Sequence, residues 1–384
     1  MKPTTILHVI EGLGRGGAER RLLYDVTFLD RSRFRSVVCH LCPPCEFTEK
    51  FSALDIPLFC LEMNGWGSWG QALARLSGLV RRESVDLIHT QLFWADLVGR
   101  MVGKWKGLPV VTTLQSSVYE PGIDFFHSPK RRWLESLSGR LCNEKFVAVS
   151  DFVRESAITR LGFPREDVVV IRNGVDFNEF LPPSIEKRRL NRASLGISDD
   201  NQVLITVGKL NPPKGMEDLI KALPKIVARY PKTILLIVGE GPMRAELEEL
   251  SLSSGSKESI RFLGHRADVP RLLAASDLFV LPTLSEGFPL SLLEAVATGL
   301  PCVASDIGPI RELLGEMEPS LIPTRNPQAL SEAVLKHLCA LDQSRHLARE
   351  QRISFETRFD ARKSAVQLEH LYDSLLREKG RTVS

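Results

Sequence analysis

Short apolar runs recur along this chain, each bounded by turn residues and most of them followed by a stretch of helical character. They occupy residues 6–10, 36–41, 57–61, 85–89, 110–113, 146–150 and 168–172, then 203–207, 233–238, 259–263, 278–281 and 302–305. Runs this short, apolar at consecutive positions, suit strands buried on both faces. Strands that alternate with helices predict a mostly parallel sheet covered on both sides. Over residues 178–189 the periodicity lapses and prolines and charges gather, which predicts a linker. A chain of 384 residues also exceeds one comfortable core. The expected fold is therefore α/β, with two doubly wound domains.

The densest signal lies at residues 285–301, SEGFPLSLLEAVATGLP, directly after the run at 278–281. Glu286 falls on the loop at that strand's carboxyl end. Gly287 permits close approach of backbone to a ligand, and Pro289 has the φ favoured in a helix's first turn, so a helix is expected from Pro289 to Gly299. Glu294 then sits among Leu290, Leu292, Leu293, Ala295, Val296 and Ala297. A carboxylate buried among apolar neighbours needs a partner, and a hydroxyl-rich ligand would provide one. The competing reading is a capping box, Ser291-Leu-Leu-Glu294, in which Glu294 only closes its own helix start. Pro289 argues for the earlier start.

Residues 11–17 form a glycine-rich loop between the first strand and a helix expected near Ala18, a geometry that cradles phosphate. Gly12, Gly14 and Gly17 satisfy the dinucleotide spacing, which raises a nicotinamide enzyme as an alternative. The acid that such enzymes carry after the second strand is missing from residues 36–41, SVVCHL. In the second half, residues 208–215, GKLNPPKG, place Lys209 and Lys214 after a strand. Cations there could balance a pyrophosphate, or could be plain solvated lysines. Gly239-Glu-Gly-Pro242 reads as a structural turn that could also line a ligand pocket.

The two glutamates, within S-x-E-G-F-P-x-x-x-x-E-A-x-A-x-G-x-P, resemble the E-x7-E signature of retaining, nucleotide-sugar-dependent glycosyltransferases of family 4. Gly16, Gly17 and Glu19 resemble the G-G-x-E loop near the start of those enzymes. The resemblance covers nearly the whole chain. It implies the GT-B fold, two Rossmann-like domains facing across a cleft, with the last helix crossing back to the first. Residues 1–180 with 362–384 would form the acceptor-side domain, and 181–361 the nucleotide-sugar domain. It further implies Glu286 on the donor sugar's hydroxyls and Glu294 on the ribose. Gly287, Phe288 and Leu290, with Pro289 between them, would present backbone to the sugar or phosphate. Lys209 and Lys214 would meet the diphosphate, and Gly16 and Gly17 would close the cleft. The family commonly has arginine where Lys209 stands, so a bidentate fork is lost. It often has a histidine where this chain has Gln115, and glutamine binds a sugar or phosphate without carrying a proton. His89 and His127 are the candidate substitutes. Retaining enzymes of this type use the donor's own phosphate oxygen as proton acceptor, so the exchange need not abolish transfer.

The expected reaction moves a sugar from a nucleoside diphosphate sugar to a hydroxyl of a glycan or lipid-linked glycan precursor of the cell envelope. The alternatives are a nucleotide-sugar epimerase of the same architecture, the nicotinamide oxidoreductase, and a non-catalytic binding protein that keeps the fold. No D-x-D element occurs, so no metal is expected. Fifty Lys+Arg against 47 Asp+Glu leave a charge of +3, which argues against nucleic acid as partner. No apolar run approaches the roughly 20 residues that span a bilayer. The N-terminal apolar stretch is too short for a signal peptide, so a cytoplasmic protein is expected. Seven scattered cysteines do not form a disulfide framework, and Cys42-Pro-Pro-Cys45 has redox spacing without a thioredoxin-like setting. Residues 127–133, HSPKRRW, join cations to an aromatic. They suit peripheral contact with an anionic membrane surface, or a solvated helix start.

Overall fold

The computed structural model describes residues 3–14, 16–43, 47–63, 66–116, 128–142, 144–315 and 321–380. The chain divides into two compact units, Met1–Gly174 with Ala361–Ser384, and Val175–Asp360. Unit 1 holds a parallel sheet of β1 (Thr4–Ile10), β2 (Phe34–His40), β3 (Leu58–Cys60), β4 (Leu87–Gln91), β5 (Val110–Leu114), β6 (Lys145–Ala148) and β7 (Val168–Val170). Its order is β3-β2-β1-β4-β5-β6-β7. The connecting helices are α1 (Gly17–Phe28), α2 (Thr48–Ser52), α3 (Trp69–Arg82), α4 (Phe93–Lys106), α5 (Pro129–Cys142) and α6 (Asp151–Ser156). Every residue of β1, β4 and β5 is buried, as consecutive apolar runs require.

Unit 2 repeats the plan with β8 (Gln202–Val207), β9 (Thr233–Val238), β10 (Ile260–Gly264), β11 (Leu278–Leu281), β12 (Cys302–Ser305) and β13 (Leu321–Ile322), in the order β10-β9-β8-β11-β12-β13. Its helices are α7 (Ile185–Ser194), α8 (Met216–Arg229), α9 (Arg244–Ser253), α10 (Val269–Ala275), α11 (Leu290–Ala297), α12 (Gly308–Leu314), α13 (Pro327–Cys339) and α14 (Leu341–Phe359). Leu204, Leu235, Leu278 and Val303 from the sheet pack with Leu219, Ile220 and Leu223 of α8 in one core.

Two boundaries differ from the sequence reading. The units change at residues 174/175 rather than 180/181, because Val175, Phe177 and Phe180 are fully buried in unit 2. Val175 N–H donates to Phe359 O at 3.0 Å, and Phe177 O accepts from Arg352 at 2.9 Å. The expected linker also ends early, since residues 185–189 open helix α7, whose Ser184 cap accepts from Lys187 N–H. Its charges look solvated in sequence but converge on one buried carboxylate. Asp277 pairs with Arg188, Arg192 and Arg345, and also accepts from Val203 N–H at 2.7 Å.

The last helix, α15 (Ala361–Glu378), returns to unit 1, as the resemblance implied. Leu368, Leu371, Tyr372 and Leu375 pack on Ile6, Leu87, Val111 and Val147. Polar contacts fix its register: Tyr372 Oη lies 2.5 Å from His89 Nδ1, and Arg33 donates to Asp373 at 2.6 Å. Beside His89, at the register partner on β1, stands His8, with ring centroids 5.6 Å apart.

Burial pushes the His8 pKa down to about 3 and the His89 pKa well below its ordinary value, so both rings are neutral in the folded unit. The unfolded rings titrate near 6.5. Stability from these groups is therefore complete above that pH and falls as acid charges the unfolded chain, by about 1.4 kcal/mol per pH unit for each histidine. Neither ring nitrogen of His8 has a hydrogen-bond partner among the described residues. His8→Leu is accordingly expected to reduce the slope of unit 1 stability between pH 6.5 and 5 by up to about 1.4 kcal/mol per pH unit. Urea unfolding across that window checks this, and an unchanged slope would place the acid sensitivity elsewhere.

Candidate active site

In unit 2 the strand order reverses between β8 and β11, and open α/β sheets bind ligands at the carboxyl ends of strands beside such a point. The loops there are joined by backbone. Leu284 N–H donates to Pro213 O at 2.7 Å, and the Thr283 hydroxyl donates to the same oxygen at 2.9 Å. On the other side Leu210 N–H donates to Glu240 O at 2.9 Å and Met243 N–H to Leu210 O at 3.0 Å. Such close contact requires missing side chains. A Cβ on Gly215, whose φ is +60°, would lie 2.1 Å from Pro282 O, and one on Gly239 would lie 1.9 Å from Gly208 O. The turn at residues 239–242 is thus structural, as its sequence suggested.

The joined loops bring Lys214 and Glu286 together, with Nζ 2.5 Å from Oε1. Their side chains are 23% and 10% exposed, so the pair is partly solvated rather than in the core. Lys209 is exposed on the same loop and makes no ion pair among the described residues. Gly287, Phe288, Pro289 and Leu290 are buried, and the Phe288 ring packs 5.4 Å from that of Phe359. Pro289 caps α11, which runs over Leu290–Ala297 rather than Pro289 to Gly299. Ser291 is therefore inside the helix, and the capping-box reading of Glu294 falls. Glu294 is 5% exposed, mid-helix, as its apolar neighbours required. First-turn N–H groups of a helix have no intrahelical partner, so the start of α11 offers donors and a partial positive charge next to Glu286.

In unit 1 the reversal lies between β1 and β4. Gly16 caps α1, and a Cβ there would lie 2.4 Å from Glu19 Oε2, whereas nothing lies within 4 Å of one on Gly17. Gln115 Nε2 donates to Gln91 Oε1 at 2.8 Å. Gln91 is 1% exposed, and its Nε2 has no partner among the described residues. Sequence reasoning missed Gln91. Its signal was a polar residue just past the end of the apolar run read at 85–89. Next to it Leu92 has φ +74°, a strained junction of the kind found near functional sites. His89 does not replace the family's histidine, because its ring nitrogens are occupied by Tyr372 and by Thr113, the latter at 2.7 Å. His127 and Cys45 lie outside the described residues.

Comparison with known proteins gives the same picture. Residues 15–179 match the family model described as Glycosyltransferase Family 4, and residues 187–352 that described as Glycosyl transferases group 1. The chain is 30% identical over 298 residues, 76% of each protein, to the Escherichia coli UDP-Gal:alpha-D-GlcNAc-diphosphoundecaprenol alpha-1,3-galactosyltransferase. It is 24% identical over 319 residues, 79% of each, to the N-acetyl-alpha-D-glucosaminyl L-malate synthase of Bacillus anthracis. A structure of Anabaena HepE in complex with UDP and glucose superposes with a TM-score of 0.86 at 24% identity, covering 97% of this chain and 100% of that one. At that identity the likeness is one of fold.

Gly215→Ala should destabilise unit 2 by about 3 kcal/mol, adding a collision with Pro282 O to the positive φ. Gly196 also has φ +60° but nothing within 4 Å of a Cβ, so Gly196→Ala carries the conformational cost alone. Thermal unfolding of the two variants separates the terms, and equal losses would remove the collision argument.

Proposed function

The chain belongs to the group 1 glycosyltransferases of family 4, with their GT-B fold, and from that premise we propose that it transfers a sugar with retention from a nucleoside diphosphate sugar to a hydroxyl of a lipid-linked glycan precursor of the cell envelope. The observation that carries the reading is the Lys214–Glu286 pair at the β8/β11 reversal, beside the start of α11. The donor's diphosphate is the anion such a place suits: Lys214 supplies a full charge and the helix start about half of one. Glu286 accepts hydrogen bonds from the donor sugar's hydroxyls, Glu294 from the ribose, and Gly287, Phe288 and Leu290 present backbone N–H. Lys209 adds a second, looser cation.

As the bond from the anomeric carbon to the phosphate oxygen breaks, negative charge grows on the leaving diphosphate, where Lys214 is held. The acceptor hydroxyl attacks from the same face, and its proton passes to the departing phosphate oxygen, so configuration is kept and charge balances. Gly16, Gly17, Gln115 and Gln91 in unit 1 handle substrate hydroxyls. The E. coli relative's name specifies a lipid diphosphate acceptor, which favours work at the cytoplasmic face of a membrane. No helix among the described residues is long and apolar enough to cross one.

Incubation with a panel of nucleotide sugars and a lipid-linked acceptor, reading released nucleoside diphosphate and product linkage, tests the reading. An epimerase would alter the sugar without releasing it from the nucleotide. Glu286→Gln should lower kcat about 100-fold, the scale for losing one preorganised transition-state contact, while nucleoside diphosphate affinity holds. Lys214→Ala should instead weaken that affinity by about 1.5 to 3 kcal/mol, with nucleoside affinity little changed. Near wild-type turnover of Glu286→Gln would sink the assignment.

Lys214 and the α11 start supply the positive charge that a leaving diphosphate needs, so the proposed reaction is written without a divalent ion. Activity is expected to persist in excess EDTA. Loss that magnesium or manganese restores would overturn this part of the mechanism.

A further inference from the structure

Between the loops that carry Lys214 and Glu286 lies a fully buried hydroxyl, that of Thr283, two residues past the end of β11. It donates to Pro213 O at 2.9 Å and lies 3.1 Å from Ser285 O. Each acceptor belongs to the peptide unit immediately before a charged residue of the proposed site: Pro213 O precedes Lys214, and Ser285 O precedes Glu286. One hydrogen therefore stands between the backbones that carry the ammonium and the carboxylate, whose side chains meet with Nζ 2.5 Å from Oε1. Satisfying a buried carbonyl does not account for it, because Pro213 O already accepts from Leu284 N–H at 2.7 Å. Nor does filling space, since valine has nearly the same shape without the hydroxyl.

The hydroxyl holds two oxygens close. Carbonyl oxygens are alike in partial charge and repel, and a hydrogen shared between them turns that repulsion into attraction. A methyl in its place stands off an oxygen at about 3.3 to 3.6 Å and offers no such hydrogen, so both peptide units retreat by some tenths of an ångström. We propose that Thr283 is a positioning residue for sugar transfer: its hydroxyl sets the separation of Lys214 and Glu286, and so the fit of the pair to a donor whose sugar–phosphate bond is lengthening. The proposal rests on the donor-site reading above and adds the group that fixes its geometry. Charge grows on the diphosphate beside Lys214 while Glu286 keeps the sugar. An error in their spacing is therefore felt as that bond breaks, and much less when the donor binds.

Two readouts test this, one of them without ligand, with thermal unfolding recorded for every chain. In Thr283→Val, amide exchange should quicken about ten-fold at residues 214–216 and 284–287 and stay as in wild type in β8 and β9. Thr283→Ser, which keeps the hydroxyl, should exchange as wild type does. In turnover with the donor and acceptor that serve wild type best, Thr283→Val should lower kcat about ten-fold with donor KM within about two-fold. Thr283→Ser should recover most of that rate. In the Glu286→Gln background the valine should cost less than about two-fold more, because the pair it positions is already broken. If the valine chain does not fold, Thr283→Ala removes the same hydroxyl and must give the same split. Loop exchange indifferent to loss of the hydroxyl, a valine chain with wild-type kcat, a loss confined to KM, no rescue by serine, or a fully additive loss in Glu286→Gln would each overturn the proposal. In a wild type that transfers sugar, such outcomes fail this role alone. Loop exchange that behaves as expected in a wild type without transfer fails the reading above, and this role with it.

Discussion

Unit 2 depends on how closely two loops approach. Pro213 O accepts from both Leu284 N–H and the Thr283 hydroxyl, and the contact is open only because position 215 has no Cβ to strike Pro282 O. From this follows the meeting of Lys214 and Glu286, residues 72 apart in sequence. Parallel strands send their carboxyl ends, and the helix starts that follow, to one side of a sheet. Glycines at the reversal let backbone replace side chains there, so polar donors gather without a collapsed apolar plug.

The Lys214–Glu286 pair itself contributes little to stability. Both side chains keep some solvent, and pairs of this kind have a median net value of about 0–1 kcal/mol. Its value is positional, since each partner limits the rotamers of the other before ligand arrives. Under the proposed reaction an incoming diphosphate takes over the ammonium and leaves the carboxylate for sugar hydroxyls, one charged contact exchanged for others without either group being stripped bare. Asp277 shows the contrasting structural use of charge. It is almost fully buried, satisfied by three arginines and a backbone N–H, and holds α7 and α14 to the start of β11.

Much of this was legible in sequence because buried parallel strands and glycine-bearing loops leave local marks. The runs at 203–207 and 278–281 became β8 and β11 nearly as read, and Glu294 was buried because its neighbours left no polar face. What sequence could not give was pairing across distance. Arg188 looked like a linker charge, as the acid it meets, Asp277, lies far along the chain. His89 looked free for chemistry because Tyr372, which occupies it, sits in the last helix.

The two sheet reversals differ in chemistry. Unit 2 presents charge, the Lys214–Glu286 pair. At the end of β4 and β5 unit 1 presents two amides, Gln91 and Gln115, and holds the imidazole of His89 in the core. Glu11 is occupied with the Trp94 N–H at the start of α4, at 2.8 Å. Amides donate and accept hydrogen bonds but take no proton at ordinary pH, so Gln91 and Gln115 can orient a hydroxyl and cannot deprotonate it. Under the proposed reaction the proton then needs a base that travels with the substrate. The leaving diphosphate oxygen is such a base, gaining basicity as the bond to the anomeric carbon breaks. On this argument the exchange of a family histidine for Gln115 removes a possible proton carrier from a place where the chemistry does not call for one.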